Sequence, residues 1–253
     1  MATVYKAQRA DGLYESEVAL KIFDKGKHHP ELIQRFEYER KILARLVHSN
    51  IAKIIDAGVT PQGTPFYLLE YIDGQNVRDY VQQKQLSLRQ TLQLFLKIAK
   101  AVQFAHQNFI IHRDIKPSNI LVDQLGEPKL LDFGIAKVME NAVLPSIDTQ
   151  AFLLTPEYAS PEQMAGQNIT AATDVYLLGL LLYELVTFEK PFETRGKSLV
   201  EIHKERGQQV IMTPLKKIRK DKLTRNTAGI SDDLDVIVAK MLAFEPRERY
   251  NNV

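Results

Sequence analysis

The chain has 253 residues, 45% of them hydrophobic, with a net charge of +2 from 33 basic and 31 acidic residues. That is enough apolar material for one large domain or two lobes sharing a cleft, and the charge balance gives no footprint for nucleic acid or an acidic membrane surface. The absence of cysteine excludes disulfides, thiolate metal sites and a cysteine nucleophile, and fits a reducing, cytoplasmic setting.

Residues 3–8 and 17–23 are short β-rich runs separated by a turn at Asp11 and Gly12, which predicts a strand pair. A helix is expected over 31–47. Its apolar stripe is Leu32, Phe36, Leu43, Leu46 and Val47, and Glu39 falls inside that stripe. Residues 51–59 and 66–72 read as two further strands joined by a turn at 61–63.

After Asp73 and Gly74 the pattern becomes mainly helical. Ser87 with Gln90 forms a capping box that opens a helix to about Gln107, with Leu92, Phe95, Leu96, Ala99 and Val102 as its apolar face. Short strands are expected on both sides of 123–127, then an irregular stretch over 135–160. The most apolar run, 175–186, is too short to span a bilayer and contains Glu184, so it reads as a buried helix starting near Thr173. A basic, poorly periodic segment at 196–227 reads as a solvated face. Ser231, Asp232 and Asp233 open a last helix, with carboxylates at its positive end. The expectation is an α+β chain with a small β-rich lobe at 1–72 and a larger helical lobe at 73–253. The hinge falls near 70–74, where a cleft suits a ligand.

Two segments carry the chemistry. Residues 112–119 read His-Arg-Asp-Ile-Lys-Pro-Ser-Asn, and Asp132-Phe133-Gly134 begins 13 residues after Asn119. Asp and Asn oxygens are the hard ligands that Mg²⁺ prefers. Asp114 as a surface turn residue and Asp132 to Gly134 as an ordinary turn is the plainer alternative, but the ordered combination is far rarer than either part. Upstream, Val18-Ala19-Leu20-Lys21 ends a strand in a cation, and a Glu39 on the buried stripe would need one, a solvated edge lysine and an edge-of-stripe surface glutamate being the plainer readings.

These residues, in this order, resemble the eukaryotic-type serine/threonine protein kinase family, and the wording is closest to its bacterial members. The resemblance implies the bilobal kinase fold, with ATP and Mg²⁺, or Mn²⁺, as cofactors. Asp114 would be the base for the acceptor hydroxyl and Lys116 would neutralise the transferred phosphate. Asn119 and Asp132 would hold the metal, and a Lys21–Glu39 pair would position the phosphates. Val4, Ala19 and Leu121 would sandwich the adenine, with Leu69 as gatekeeper and Glu70 and Ile72 bonding its edge. His112, Phe133 and Gly134 would be supports. Arg113 implies control by phosphorylation of the loop bearing Ser146 and Thr149, while Thr155 serves the substrate-facing end. Ser160-Pro161-Glu162 stands where the family has Ala-Pro-Glu. Glu162 would pair with Arg249, and Asp174 would anchor the catalytic loop, a helix cap being its plainer role.

The partners implied are proteins with Ser or Thr acceptors, with no nucleic acid and no membrane segment; a homodimer is compatible but nothing in the residues points to one. One departure stands out. The family's G-x-G-x-x-G-x-V pattern would end at Val4, with Ala2 at the third glycine and the first two positions before Met1. The chain therefore reads as a trimmed domain. That departure raises a pseudokinase or scaffold as the alternative. A small-molecule phosphotransferase with a related His-x-Asp loop is disfavoured by Asp132 to Gly134 and by Ser160 to Glu162.

Overall fold

The computed structural model describes residues 2–8, 17–23, 36, 40, 43, 45–133, 155–208, 213, 214, 216 and 232–253. The N-terminal part is an antiparallel sheet of β1 (Ala2–Gln8), β2 (Glu17–Phe23), β3 (Ile54–Val59) and β4 (Pro65–Glu70), in the order β1-β2-β4-β3. The register pairs Val4 with Lys21, Ala19 with Leu69 and Lys21 with Tyr67. Because cross-strand partners share a face and alternate residues do too, Val4, Ala19, Lys21, Phe23, Tyr67 and Leu69 lie on one side of this sheet.

Phe36 seals part of that side. It is fully buried and meets Tyr67 at 4.7 Å and Phe23 at 6.2 Å between ring centroids. Phe36, Arg40 and Leu43 are helical, and Leu43 and Leu46 are buried. Val47, placed on the same stripe by the helical pattern, is instead 71% exposed. Arg45 already lies in a turn, so the helical period no longer applies two residues later. The turn at Asp11 and Gly12 lies outside the described residues.

The turn at 61–63 is present, with Gly63 in the left-handed region at φ 79° and its N–H donating to the Thr60 carbonyl. The strand before it starts later than the pattern suggests. Residues 50–52 pair elsewhere: Leu130 donates to the Asn50 carbonyl and Ala52 donates to the Leu130 carbonyl. This ties the first sheet to a second one, β5 (Gly74–Asn76), β6 (Ile120–Asp123) and β7 (Pro128–Leu130), in that order. Only glycine fits at 74, since a Cβ there would sit 2.2 Å from the Val122 carbonyl oxygen.

The rest is helical. Asn76 caps α1 (Val77–Gln83), and the Ser87–Gln90 capping box opens α2 (Leu88–Gln107). The buried face of α2 is rotated from the one expected. Thr91, Leu94, Phe95, Ile98, Ala101, Val102 and Ala105 face inward, while Leu96 is 57% exposed. Both faces of this helix carry apolar residues, and what decides between them is its packing on β7 and on the buried helix α4 (Ala171–Thr187). From Thr173 to Thr187 every residue of α4 is buried, the all-round apolar pattern of a central helix. Before it lies α3 (Pro161–Met164), and after it α5 (Leu199–Gln208) and α6 (Asp233–Met241). α5 corrects the expectation of an irregular, solvated 196–227, because Ile202 and Arg206 on it are buried. Among the described residues no helix is long and apolar enough to cross a membrane.

Candidate active site

The segment 112–119 runs between α2 and β6, and the β6–β7 register decides what it meets. Ile120 pairs with Leu130, and one step outward Leu131 donates to the Asn119 carbonyl at 2.8 Å. Asn119 is therefore brought beside the strand end that leads to Asp132. The Asn119 amide nitrogen donates to the Asp114 backbone carbonyl and to its carboxylate Oδ2, both at 2.8 Å. Lys116 Nζ lies 3.0 Å from the same Oδ2 and 3.3 Å from the Thr155 hydroxyl. Asp114, Lys116, Asn119 and Thr155 thus form one polar knot.

Asp132 sits in the left-handed region at φ 50°, and its Oδ1 is 2.6 Å from Lys21 Nζ. That pair bridges the two sheets. Glu39 and Gly134 lie outside the described residues, so the described partner of Lys21 is Asp132. Ser146 and Thr149 lie outside them as well. A small cavity of about 30 Å³ between the sheet and the 130–133 segment is lined by Lys21, Tyr67, Leu69, Leu130, Asp132 and Phe133.

The remaining expected contact residues lie on separate elements. Val4, Ala19 and Leu69 share the sheet face of Lys21, and Leu121 lies on β6 opposite Asn76. The Glu70 carboxylate accepts from the Lys53 N–H at 3.1 Å and from Lys129 at 2.8 Å. Ile72 is half-buried in the short connection from β4 to β5.

Buried anchors hold the segment. Asp174 is fully buried and accepts three bonds, from the His112 N–H at 2.7 Å, the Arg113 N–H at 2.8 Å and His106 Nε2 at 2.8 Å. Its helix is capped instead by Thr170 with Thr173. Arg113 has φ 68°, a conformation that costs a non-glycine residue about 1 kcal/mol or more. Both of its backbone polar groups are engaged, since its carbonyl accepts from Gln163 Nε2 at 2.8 Å. His112 is buried beneath, with Nε2 donating to the Leu131 carbonyl at 2.8 Å and Nδ1 accepting from the Asp114 N–H at 3.3 Å. Its ring packs on Phe133 at 4.7 Å. Burial holds the imidazole below its ordinary range, against the pull of Asp174.

The far wall is a second buried cluster. Arg249 forks onto Glu162 at 2.8 and 2.9 Å and donates to the Ala172, Ala243 and Phe244 carbonyls. Burial pushes the Glu162 carboxyl up, but the Arg249 guanidinium outweighs it and holds it below the usual range.

Beside the knot opens a groove of about 860 Å³, lined among others by Arg78, Pro117, Ser118, Tyr158, Glu184 and Lys190. Arg78 Nε is 3.1 Å from Glu184, and the Tyr158 hydroxyl donates to that same carboxylate. Burial and then Glu184 push the Tyr158 phenol up. Sequence reasoning missed this trio as well as His106. Glu184 inside an apolar run was the available signal, because a buried carboxylate requires a partner.

Comparison with known proteins gives a consistent result. The model of the protein kinase domain matches residues 1–252. Serine/threonine-protein kinase PknB of Mycobacterium tuberculosis is 34% identical over 227 residues, which is 87% of this chain and 34% of that protein. Serine/threonine-protein kinase PrkC of Bacillus subtilis is 35% identical over 253 residues, 99% of this chain and 36% of that protein. The chain spans about a third of the length of the curated relatives it matches.

Proposed function

Because the chain belongs to the protein kinase family, we propose that it transfers the γ-phosphate of ATP to Ser or Thr hydroxyls of protein substrates. The observation that carries this reading is the knot of Asp114, Lys116 and Asn119 held beside the Lys21–Asp132 pair. In it, Asp114 accepts the hydroxyl proton and orients the attack. Lys116 lies where it can follow the charge on the transferred group. Its contact with Thr155 keeps the acceptor-side chain close to the base, which suits a short Ser or Thr side chain.

The residues fit a divalent metal. Asn119 turns its amide nitrogen toward Asp114, which leaves its hard amide oxygen on the other side. Asp132 has one carboxylate oxygen beyond the one that meets Lys21. Mg²⁺ takes few protein ligands and completes its shell with water and phosphate, so two such oxygens suffice. When bound, the metal neutralises charge on the phosphates. Lys21 then binds phosphate oxygens, and the apolar face of Val4, Ala19 and Leu121 receives the adenine, with the Glu70 carbonyl and Ile72 N–H at its edge. The two lobes in this reading are 1–72 and 73–253.

The relatives' names support protein phosphorylation rather than a scaffold without turnover, and the lysine, the base and both metal candidates are all present. The test is labelled ATP with Mg²⁺ and a generic protein acceptor. We expect metal-dependent transfer, and we expect Asp132→Asn to weaken metal-dependent nucleotide binding about tenfold or more. Nucleotide binding equally sensitive to metal in wild type and Asp132→Asn would sink the metal assignment.

A further inference from the structure

α5 carries an arginine that does not behave as a surface charge. Arg206 is 5% exposed, and among the described residues no carboxylate pairs with it. A buried guanidinium without a counter-ion is costly and uncommon. Its partners are the Tyr176 hydroxyl and, chiefly, backbone carbonyls. Nη1 donates to the Ala159 carbonyl, and Nη2 donates to that of Pro156 at 2.8 Å and reaches that of Glu157 at 3.5 Å. The guanidinium lies 4.6 Å over the Phe192 ring.

All three carbonyls belong to one short stretch, the 3₁₀ turn Pro156–Tyr158 and the residue after it. A single turn of this kind satisfies few of its own groups. Its internal bond is the Tyr158 N–H to the Thr155 carbonyl at 2.9 Å, so its outward carbonyls need donors from elsewhere. The planar fork of an arginine can hold several carbonyls at fixed angles, which a lysine ammonium cannot. On one side of the turn is Thr155, in contact with Lys116. The turn's own last residue is Tyr158, which lines the groove and donates to Glu184.

We propose that Arg206 is a positioning residue for the acceptor-facing turn. It fixes the placement of 156–159 relative to Asp114, and so sets how a protein acceptor is seated, while leaving the nucleotide side alone. This rests on the phosphotransfer reading above. It also gives α5 a role, since a displacement of α5, which also packs on α3, reaches the carbonyls of the turn through Arg206.

Two variants of the whole chain test it. Arg206→Met keeps bulk and removes the fork; Arg206→Lys keeps charge and removes the fork. Hydrogen exchange over 155–160 should quicken about tenfold in both, with the amides of α2 unchanged. With ATP, Mg²⁺ and myelin basic protein as acceptor, the KM for acceptor should rise about fivefold or more, while the KM for ATP and the rate of ATP hydrolysis to water stay within about twofold. Unchanged exchange at 155–160 in the Lys variant overturns the proposal, and so does a parallel loss of transfer and hydrolysis. If the Met variant fails to fold, the Lys variant decides. A wild-type chain that transfers nothing contradicts the kinase reading, and the exchange result then decides the positioning role by itself.

Discussion

His112 shows how one buried side chain fixes a neighbouring backbone. Its Nε2–H points at the Leu131 carbonyl and its Nδ1 receives the Asp114 N–H, so the neutral ring satisfies both sides. A proton on Nδ1 would set two N–H groups against each other. Burial disfavours the charged ring and depresses the folded-state pKa, against the pull of Asp174. The unfolded chain therefore binds the proton more readily. This contribution to stability is present above about pH 6.5 and is lost as pH falls from there through the depressed value. Urea unfolding at pH 7.5 and pH 5 should show that loss, and His112→Gln should flatten it. An identical pH slope in the variant would refute the assignment.

Among the elements, α4 is the frame. Its first turns carry Thr173, which donates to Glu162, and Asp174, which holds the 112–113 backbone. Its Tyr176 ring lies under Arg249 at 4.6 Å. Helix, the 112–119 segment and α3 are thus joined through buried charges, each of them fully bonded. Removing one member leaves another uncompensated. Arg249→Met should cost about 3–5 kcal/mol in denaturant unfolding, because Glu162 is stranded. Adding Glu162→Gln to it should cost clearly less than the sum of the two single changes. Additive losses would mean that the two residues do not act as a pair.

Across the whole molecule, local pattern and long-range pairing differ in how far they could be read from residues alone. β2 shows its bounds through its β-rich run, and the α2 cap shows itself through Ser87 and Gln90, because both are local. The face of α2 does not, since Leu92 and Leu96 compete with Leu94 and Ile98 until β7 and α4 select one side. Residues 51 and 52 look like the start of a strand of the first sheet, but the stretch 50–52 bonds instead to Leu130, far along the chain. The candidate site behaves likewise. The motifs name Asp114, Asn119, Asp132 and Lys21, but the Lys21–Asp132 contact spans 111 residues and depends on two sheets meeting. Arg206 gave no signal, because a lone arginine in a basic segment is indistinguishable from a solvated one. The groove trio was half visible, through Glu184.

The central claim is that the polar knot around Asp114 performs phosphotransfer. The most direct test compares wild type with Asp114→Asn, measuring transfer from labelled ATP to a protein acceptor and nucleotide affinity in parallel. The account predicts a loss of transfer of about 10²–10⁴-fold with nucleotide affinity nearly intact. Transfer that persists undiminished in Asp114→Asn would contradict it.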